Sequence, residues 1–444
     1  MTDPAMANPC ETSTPNRLNP PPVCSPKLLQ GVRFAVSRRK AMRNWIKRHG
    51  NIYEINVPIF GQSVVVSEAL VRSVCTASNE QLINVQPNLS NLFGPGSIFG
   101  LDGSRHRDRR RLLAPALHGR SLKNYEKVIE DETLRESANW PENNEFRILE
   151  AMNRITLNVI LRTILGADGA ELEELCEIVP PWMTLGSIMA FVPAPPFRTG
   201  RHSPWGKLAE FRNAFDRIVL TLIEGAEADP GLGDRADVLA LLLRSRRDGG
   251  TGMPRLDICD ELLALIGAGH ESTASALGWA FERLRRHPDV LAELVGEVDE
   301  GGSDFRRATI LELLRLRTVV DVIGRRVGAP NFDLGKWRIP HNRTVLVRIA
   351  DLHENPEIFP HPEQFDPFRF RGTKPPTSAW LAFGGGARRC LGADFAITEM
   401  DIVLRTVLQN FRIQTDAAAD EKSHLRGIAH TPKLGGRVVV NRRT

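Results

Sequence analysis

Near the middle of the chain, Ile258, Leu262, Ile266, Gly269, Thr273, Ala276, Ala280 and Leu284 recur at the spacing of one helix face. The pattern predicts a helix of about 29 residues, roughly 43 Å long at 1.5 Å per residue. A helix of that length crosses a whole domain, so the rest of the chain must pack around it. Its centre reads Gly267-Ala268-Gly269-His270-Glu271-Ser272-Thr273. Each glycine inside a helix costs roughly 1 kcal/mol against alanine. Two of them imply that something bulky or flat presses on the backbone there. A polar patch, Glu271-Ser272-Thr273, follows at once. The Ser272 hydroxyl can bond the carbonyl four residues back, on Ala268, and open a small polar notch. The plainer alternative is close helix–helix packing with the hydroxyls bonded internally.

One large domain is the expected organisation. The chain has 444 residues, 42% hydrophobic and 25% charged, an ordinary globular balance with apolar material for a large core. No Gly/Ser or Pro linker divides it. Residues 1–28 are polar and proline-rich and are expected as a flexible tail ahead of a single domain over 29–444. The tail has no apolar signal core and no run of about 18 apolar residues, so the expectation is a cytoplasmic protein with no membrane anchor. Six cysteines, at 10, 24, 75, 176, 259 and 390, include no CxxC pair, which suits a reducing compartment. Net charge is +5, from 58 basic and 53 acidic residues. The densest basic run, Arg105 to Arg111, leads straight into Leu112-Leu113-Ala114-Pro115 and has no interleaved aromatics. It reads as helix packing, and no nucleic-acid partner is expected.

Helical spacing covers residues 30–50 and 64–80, with a hairpin between them around Phe60-Gly61-Gln62. Residues 82–101 read as a Gly/Pro/Asn-rich loop. Helical patterns then dominate residues 104–300, broken near Trp140-Pro141, Val192 to Pro196, Asp229-Pro230-Gly231 and His287-Pro288-Asp289. Short strands are expected over 318–350, a loop over 355–382, a helix after Cys390 and a strand near the C-terminus. The fold class is mainly α with a small β portion.

Several chemical motifs begin and then fail. His270-Glu271 opens a zinc-protease motif, but Ala274 stands where the second histidine belongs. His106-Arg107-Asp108 imitates a kinase catalytic loop, but Leu113 replaces the metal-binding asparagine. Gly384-Gly385-Gly386 is no dinucleotide fingerprint, because Arg389 holds the place of the third glycine. The stretch Phe383-Gly384-Gly385-Gly386-Ala387-Arg388-Arg389-Cys390-Leu391-Gly392 remains. By itself it is either a structural thiol beside a turn or a thiolate ligand whose anionic partner is held by the arginines.

Four stretches, taken in order, resemble the cytochrome P450 family of haem-thiolate monooxygenases. Ala268-Gly269-His270-Glu271-Ser272-Thr273 is similar to the family's A/G-G-x-D/E-T-T. Glu312-Leu313-Leu314-Arg315 looks like its ExxR, and Phe365-Asp366-Pro367-Phe368-Arg369-Phe370 like its F-x-P-x-R-F. Phe383 to Gly392 matches its haem loop, FxxGxRxCxG. The resemblance runs from about residue 30 to the C-terminus.

The resemblance implies the cytochrome P450 fold around haem b (iron protoporphyrin IX), with Cys390 as the axial ligand to iron. It implies propionate contacts from His106, Arg110, Arg388 and Arg325, with neighbouring Arg326 as an alternative to Arg325. Phe383 would shield the sulfur, Gly386 and Gly392 would let the loop turn, and Ala268 and Gly269 would leave room beside the porphyrin. Glu271 and Ser272 take the acid–alcohol positions that pass protons to dioxygen, with Thr273 as a possible second alcohol. Glu312, Arg315 and Arg369 form a structural triad, and Thr318 stands where proline is usual. The implied activity inserts one oxygen atom from O2 into a lipophilic small molecule. Electrons would come from NAD(P)H through a separate ferredoxin or flavodoxin with its reductase, since no flavin or iron–sulfur segment is seen. The expected protein is a monomer. Apolar candidates for the substrate pocket are Phe93, Phe99, Trp182, Met189, Phe191 and Val320. A peroxide-using or isomerising enzyme of the same fold, or a haem-based binding protein, is the alternative reading.

Overall fold

The computed structural model describes residues 17–189, 192, 200–247 and 252–443. Helix α1 (Lys27–His49) leads into the expected hairpin, β1 (Ile52–Val57) paired antiparallel with β2 (Gly61–Val66). The helical pattern read from residue 64 starts later, because Val64, Val65 and Val66 continue β2 in full burial. Three successive β-branched side chains favour the strand. A short α2 (Val71–Thr76) follows. The Gly/Pro-rich stretch contains β3 (Leu82–Asn84) and a single turn, α3 (Ser90–Phe93).

A run of helices comes next: α4 (Gly103–Leu117) and α5 (Lys123–Ser137), then, after the two-residue β4 (Phe146–Arg147), α6 (Ile148–Leu165), α7 (Gly169–Met189) and α8 (Pro204–Ala228). It continues with α9 (Val238–Arg247), α10 (Arg255–Arg286), α11 (Pro288–Asp299) and α12 (Asp304–Leu316). The breaks have local causes. Pro204 and Pro288 open α8 and α11, where a proline's missing N–H is free of cost, and the Ser203 side chain caps Gly206 N. The centre of the molecule is α10, whose 32 residues span about 48 Å. It is buried along nearly its whole length and lies along α6.

Beyond α12 come β5 (Val322–Val327), β6 (Asn331–Leu334), β7 (Trp337–Pro340), β8 (Thr344–Arg348) and a short α13 (Ile349–His353). The last helix is α14 (Ala393–Asn410). Small strands close the chain: β9 (Phe411–Ile413), β10 (Ser423–Arg426), β11 (Ala429–Pro432), β12 (Arg437–Val438) and β13 (Val440–Arg442). The main sheet has the order β1-β2-β8-β5-β3, so it joins the first hairpin to the strands after α12. With 57% helix and 13% strand, the class is mainly α as expected.

Residues 17–26 differ from the loose tail expected of them. Leu18 bridges to Trp337 and Pro22 to Glu54, and Val23 is buried. Leu18 N and Val23 N donate to the carbonyls of Lys336 and Glu54 at 3.0 and 2.8 Å. The prolines that signalled disorder are compatible with a sheet edge, where an absent N–H breaks no ladder.

A buried ion-pair cluster fixes the loop that precedes Cys390. Arg315 forks onto both oxygens of Glu312 at 2.8 Å, and Arg369 reaches the same carboxylate at 3.2 Å. The other Arg315 donors bond the carbonyls of His353, Pro362 and Gln364, and the guanidinium lies 5.4 Å from the Phe359 ring centre. His353 Nε2 accepts from Leu381 N at 3.0 Å, and Trp380 Nε1 donates to Leu311 O at 3.1 Å. Thr318 joins this cluster through its hydroxyl, 2.7 Å from His353 Nδ1, a bond that a proline there would lack.

Candidate functional site

Cys390 ends a tight loop just before α14. Cys390 N donates to Phe383 O at 2.8 Å and Arg389 N to Gly386 O at 3.1 Å. Gly384 and Gly386 hold φ of 70° and 68°, the left-handed region that other residues avoid. A Cβ on Gly386 would also overlap the backbone carbonyl of Cys75, so glycine is demanded twice. The back wall of the loop is thus α2, with Cys75 Sγ 2.7 Å from where a Gly385 Cβ would stand.

Gly392 differs from the second hinge expected of it. Its φ is −88° and nothing crowds a Cβ there. Instead it caps α14 and turns its backbone N–H toward the Cys390 sulfur. Burial raises the thiol pKa, while this N–H, Arg389 and Arg110 pull it back down. The Cys390 side chain lies deep in the fold yet stays open to solvent. Phe383 packs beside it against Trp380, with ring centres 5.9 Å apart.

Around this loop the cations that the resemblance named gather together. His106 and Arg110 on α4, Arg325 on β5 and Arg388 in the loop lie within electrostatic reach of one another. Burial, then Arg388, Arg110 and Arg325, hold the His106 pKa down at about 3, so its imidazole is neutral. Burial and then Arg388 lower Arg325 to about 10. Arg325 rather than Arg326 faces the cluster, as alternation along β5 requires.

Donors here outnumber acceptors. Among the described residues, the one carboxylate bonded within the cluster is Asp102, which accepts from Arg388 Nη2 and from Asn84 N. Arg325 Nη1 reaches its neighbour's carbonyl, Gly324 O, and Arg110 Nη1 reaches Arg389 O. His106 Nδ1 and Arg388 Nε are buried with no hydrogen-bond partner among the described residues. Three guanidiniums and an imidazole beside a thiol therefore suit a ligand carrying two carboxylates.

The middle of α10 divides its work between faces. Ala268 alone is exposed between Ile258 and Arg286, and Ser272, four residues on, is half-buried on the same side. The neighbouring face, Gly269 and Thr273, is turned to α6. A Cβ on Gly269 would stand 2.7 Å from Ile160 Cδ1, and Thr273 is 3% exposed. Gly269 therefore permits a close helix crossing and does not make the room expected beside a porphyrin. At Gly267 the pressing group is the Phe93 ring. The predicted notch bond is present, Ser272 Oγ to Ala268 O at 2.8 Å, and Thr273 Oγ1 likewise bonds Gly269 O at 2.9 Å. The helix stays continuous and does not open at Ala268, so the plainer alternative holds: close packing with the hydroxyls bonded internally.

Glu271 has a partner that the sequence did not reveal. Its Oε1 lies 3.1 Å from Nε of Arg426 on β10, and Arg426 also meets Thr184 on α7 at 3.3 Å. Burial raises the Glu271 pKa, against a smaller pull from Arg426. No local pattern links positions so far apart in the chain. Of the pocket candidates, Phe93 and Trp182 are core, with ring centres 5.8 Å apart. Phe99, Met189 and Val320 are half-buried at the core's edge, and Phe191 lies outside the described residues. A surface groove of about 400 Å³ beside Trp140 and Phe146 is separate, and its charges are already paired, Arg154 with Glu136 at 2.6 Å.

The model of the Cytochrome P450 family matches residues 20–436. The chain belongs to the cytochrome P450 family. Cytochrome P450 138 of Mycobacterium tuberculosis is 56% identical over 425 residues, which cover 96% of each sequence. Cytochrome P450 137 of the same species is 34% identical over 415 residues, 92% of this chain and 86% of that one. Among solved structures, the retinoic-acid-bound cyanobacterial CYP120A1 superposes with a TM-score of 0.83 at 24% identity, over 96% of this chain and 100% of that one. The haem domain of cytochrome P450DA gives 0.80 at 20% identity, over 96% and 98%. These two likenesses concern the fold. As a P450 the chain is a monooxygenase, an oxidoreductase that carries haem b on a cysteine thiolate.

Proposed function

We propose that Cys390 is the thiolate ligand and that the enzyme inserts one atom of O2 into a lipophilic small molecule. The observation that carries this is the cation cluster beside Cys390, with buried donors that the protein leaves unpaired. Arg110, Arg325 and Arg388 would hold the two propionates, with His106 donating as a neutral ring. Thiolate-bound haem supplies the ability to activate and split dioxygen. Gly386 and Phe383 fix and shield the sulfur, and the Gly392 N–H steadies its charge.

On α10, Ser272 would present its hydroxyl on the open face next to Ala268. Its proton rests on Ala268 O, from which the side chain can rotate toward a reactant. Glu271, with a pKa raised by burial, carries a proton more readily than a surface carboxylate, and Arg426 sets its orientation. Thr273 is turned to α6, which favours Ser272 as the relay alcohol.

Apolar side chains at the core's edge, Phe99, Met189 and Val320 among them, support a lipophilic substrate. Electrons are assigned to a separate ferredoxin or flavodoxin with its reductase, fed by NAD(P)H. Exposed Arg389 beside the loop and Arg105 on α4 offer positive charge to an acidic donor, whereas Arg107 and Arg111 already pair with Glu80 and Asp108.

The deciding experiment is the spectrum of the reduced, CO-bound protein. A strongly red-shifted Soret band is expected, and Cys390→Ala should abolish it. An unchanged band in that variant would refute the ligand assignment. Labelled O2 supplied with a reconstituted electron-transfer pair should leave label in the product, whereas its absence would favour the peroxide-using or isomerising alternative.

A further inference from the structure

We infer that the first half of α1 docks on an anionic membrane surface. Helix α1 is two helices joined at Ser37, whose φ of −145° and ψ of 48° break the helical run. The second half packs inward through Ala41, Met42 and Trp45. The first half is turned the other way. Leu28, Val32 and Val36, four residues apart, are 76%, 59% and 80% exposed, and Leu29 is 41% exposed. At about 100° per residue, these four and Ala35 share an arc of about 120°.

The opposite side carries Gln30, which is buried, donates to the carbonyls of Val23 and Ser25, and accepts from Asn56 N. That side, which also carries half-buried Phe34, faces the protein, and the arc of Leu28, Leu29, Val32 and Val36 faces out. Gly31 lies against Pro58, and the next residue of that turn, Ile59, extends the patch at 45% exposure.

Charge identifies the partner. The 23 residues of α1 include eight Lys or Arg and no Asp or Glu. Arg38 and Arg39 pair with Asp321, and Arg43 with Glu354. Lys27, Arg33, Lys40, Lys47 and Arg48 have no ion-pair partner among the described residues. An apolar arc on a cationic helix lies in the headgroup layer of an anionic bilayer. The apolar side chains stand 41% to 80% exposed on one helix face, which suits insertion into a deformable surface. No helix among the described residues is long and apolar enough to cross a membrane, so the contact is with the surface alone.

Vesicle sedimentation of the full-length, haem-loaded protein tests this. Partitioning onto mixed phosphatidylcholine–phosphatidylglycerol vesicles should exceed that onto pure phosphatidylcholine by about tenfold or more near physiological salt. The variant L28D/V32D/V36D should lose about tenfold of that binding, with its melting temperature unchanged because these side chains touch no core. A second variant, K27E/R33E/K40E, should lose the preference for the anionic lipid. Wild-type protein left in the supernatant with both vesicles, or either variant binding as wild type does, would overturn the inference. So would a dimer, seen in sedimentation velocity and abolished by L28D/V32D/V36D, in protein that pellets with neither vesicle. The red-shifted CO band, read on the same samples, keeps a failure here separate from a failure of the Cys390 assignment.

Discussion

Two of the arginine clusters among the described residues are built on opposite principles. Around Glu312, the guanidiniums of Arg315 and Arg369 share one carboxylate, and the remaining Arg315 donors are spent on the carbonyls of His353, Pro362 and Gln364. Around Cys390, of three arginines and a histidine only Arg388 bonds a carboxylate, Asp102, and buried donors stay unpaired. A satisfied cluster holds the chain together, because nothing further can bind without breaking a bond already made. An unsatisfied one raises the energy of the fold and lowers that of an anionic guest. The contrast separates a lock from a binding site without reference to any motif.

The sharpest way to break the contrast is to remove the shared carboxylate. Glu312→Ala should cost about 3–5 kcal/mol, because two buried guanidiniums lose their counter-charge. Chemical denaturation would show it, and much of the stability of an ordinary domain would be gone. In the cradle the same kind of deletion should act on binding instead. Arg325→Leu or Arg388→Leu should change the stability of the haem-free chain by less than about 1 kcal/mol while weakening haem retention about tenfold or more. Transfer of haem to a scavenging apoprotein reads the second effect. If these variants unfold the haem-free chain as Glu312→Ala does, the two clusters are not different in kind.

A smaller effect comes from pH. Burial, and then the positive charge of Arg315, hold the His353 pKa at about 3. Unfolded, the same ring titrates near 6.5, as model peptides do. The folded pKa is depressed, so the stability it supports is complete above about pH 6.5 and is lost as pH falls toward 3. Between pH 7 and pH 5 the share of this ring in the loss should be about 2 kcal/mol in urea melts, and His353→Gln should remove that share while leaving those of His106 and His270, whose pKa values burial also lowers. Smallest in stability terms is the pair on α10. Ser272→Ala should leave the melting temperature nearly unchanged but send reducing equivalents to peroxide or water. Thr273→Ala should keep coupling and cost about 1 kcal/mol. Product formed per NADPH distinguishes them, and the reverse result would move the relay to Thr273.

The parts legible in the sequence were those that local chemistry dictates. Gly384 and Gly386 need a backbone that only glycine adopts easily, and the arginine-then-cysteine spacing follows from that turn. Helix breaks at Pro230 and Pro288 were equally local. Residues whose meaning depends on distant partners were not legible. Gly269 looked like clearance for a cofactor until Ile160 on α6 was seen against it. The bond of Glu271 to Arg426, and the use that Thr318 makes of its hydroxyl, join segments that no periodicity connects. Periodicity showed that α1 was a helix, but an apolar arc does not say whether it points in or out. The prolines before α1 gave the same signal for an exposed tail as for the sheet edge they occupy.

One contact has a consequence for the order of assembly. The loop that ends at Cys390 is moulded against Cys75, whose carbonyl stands where a Gly386 side chain would be. Closing so long a stretch of chain is entropically slow and waits for the nearer contacts to form. We therefore expect the ligand loop to take shape late, once α2 and the sheet beside it exist. A refolding chain should regain its helices, followed by far-UV circular dichroism, before it can capture haem, so that the chromophore marks the end of folding and not its beginning.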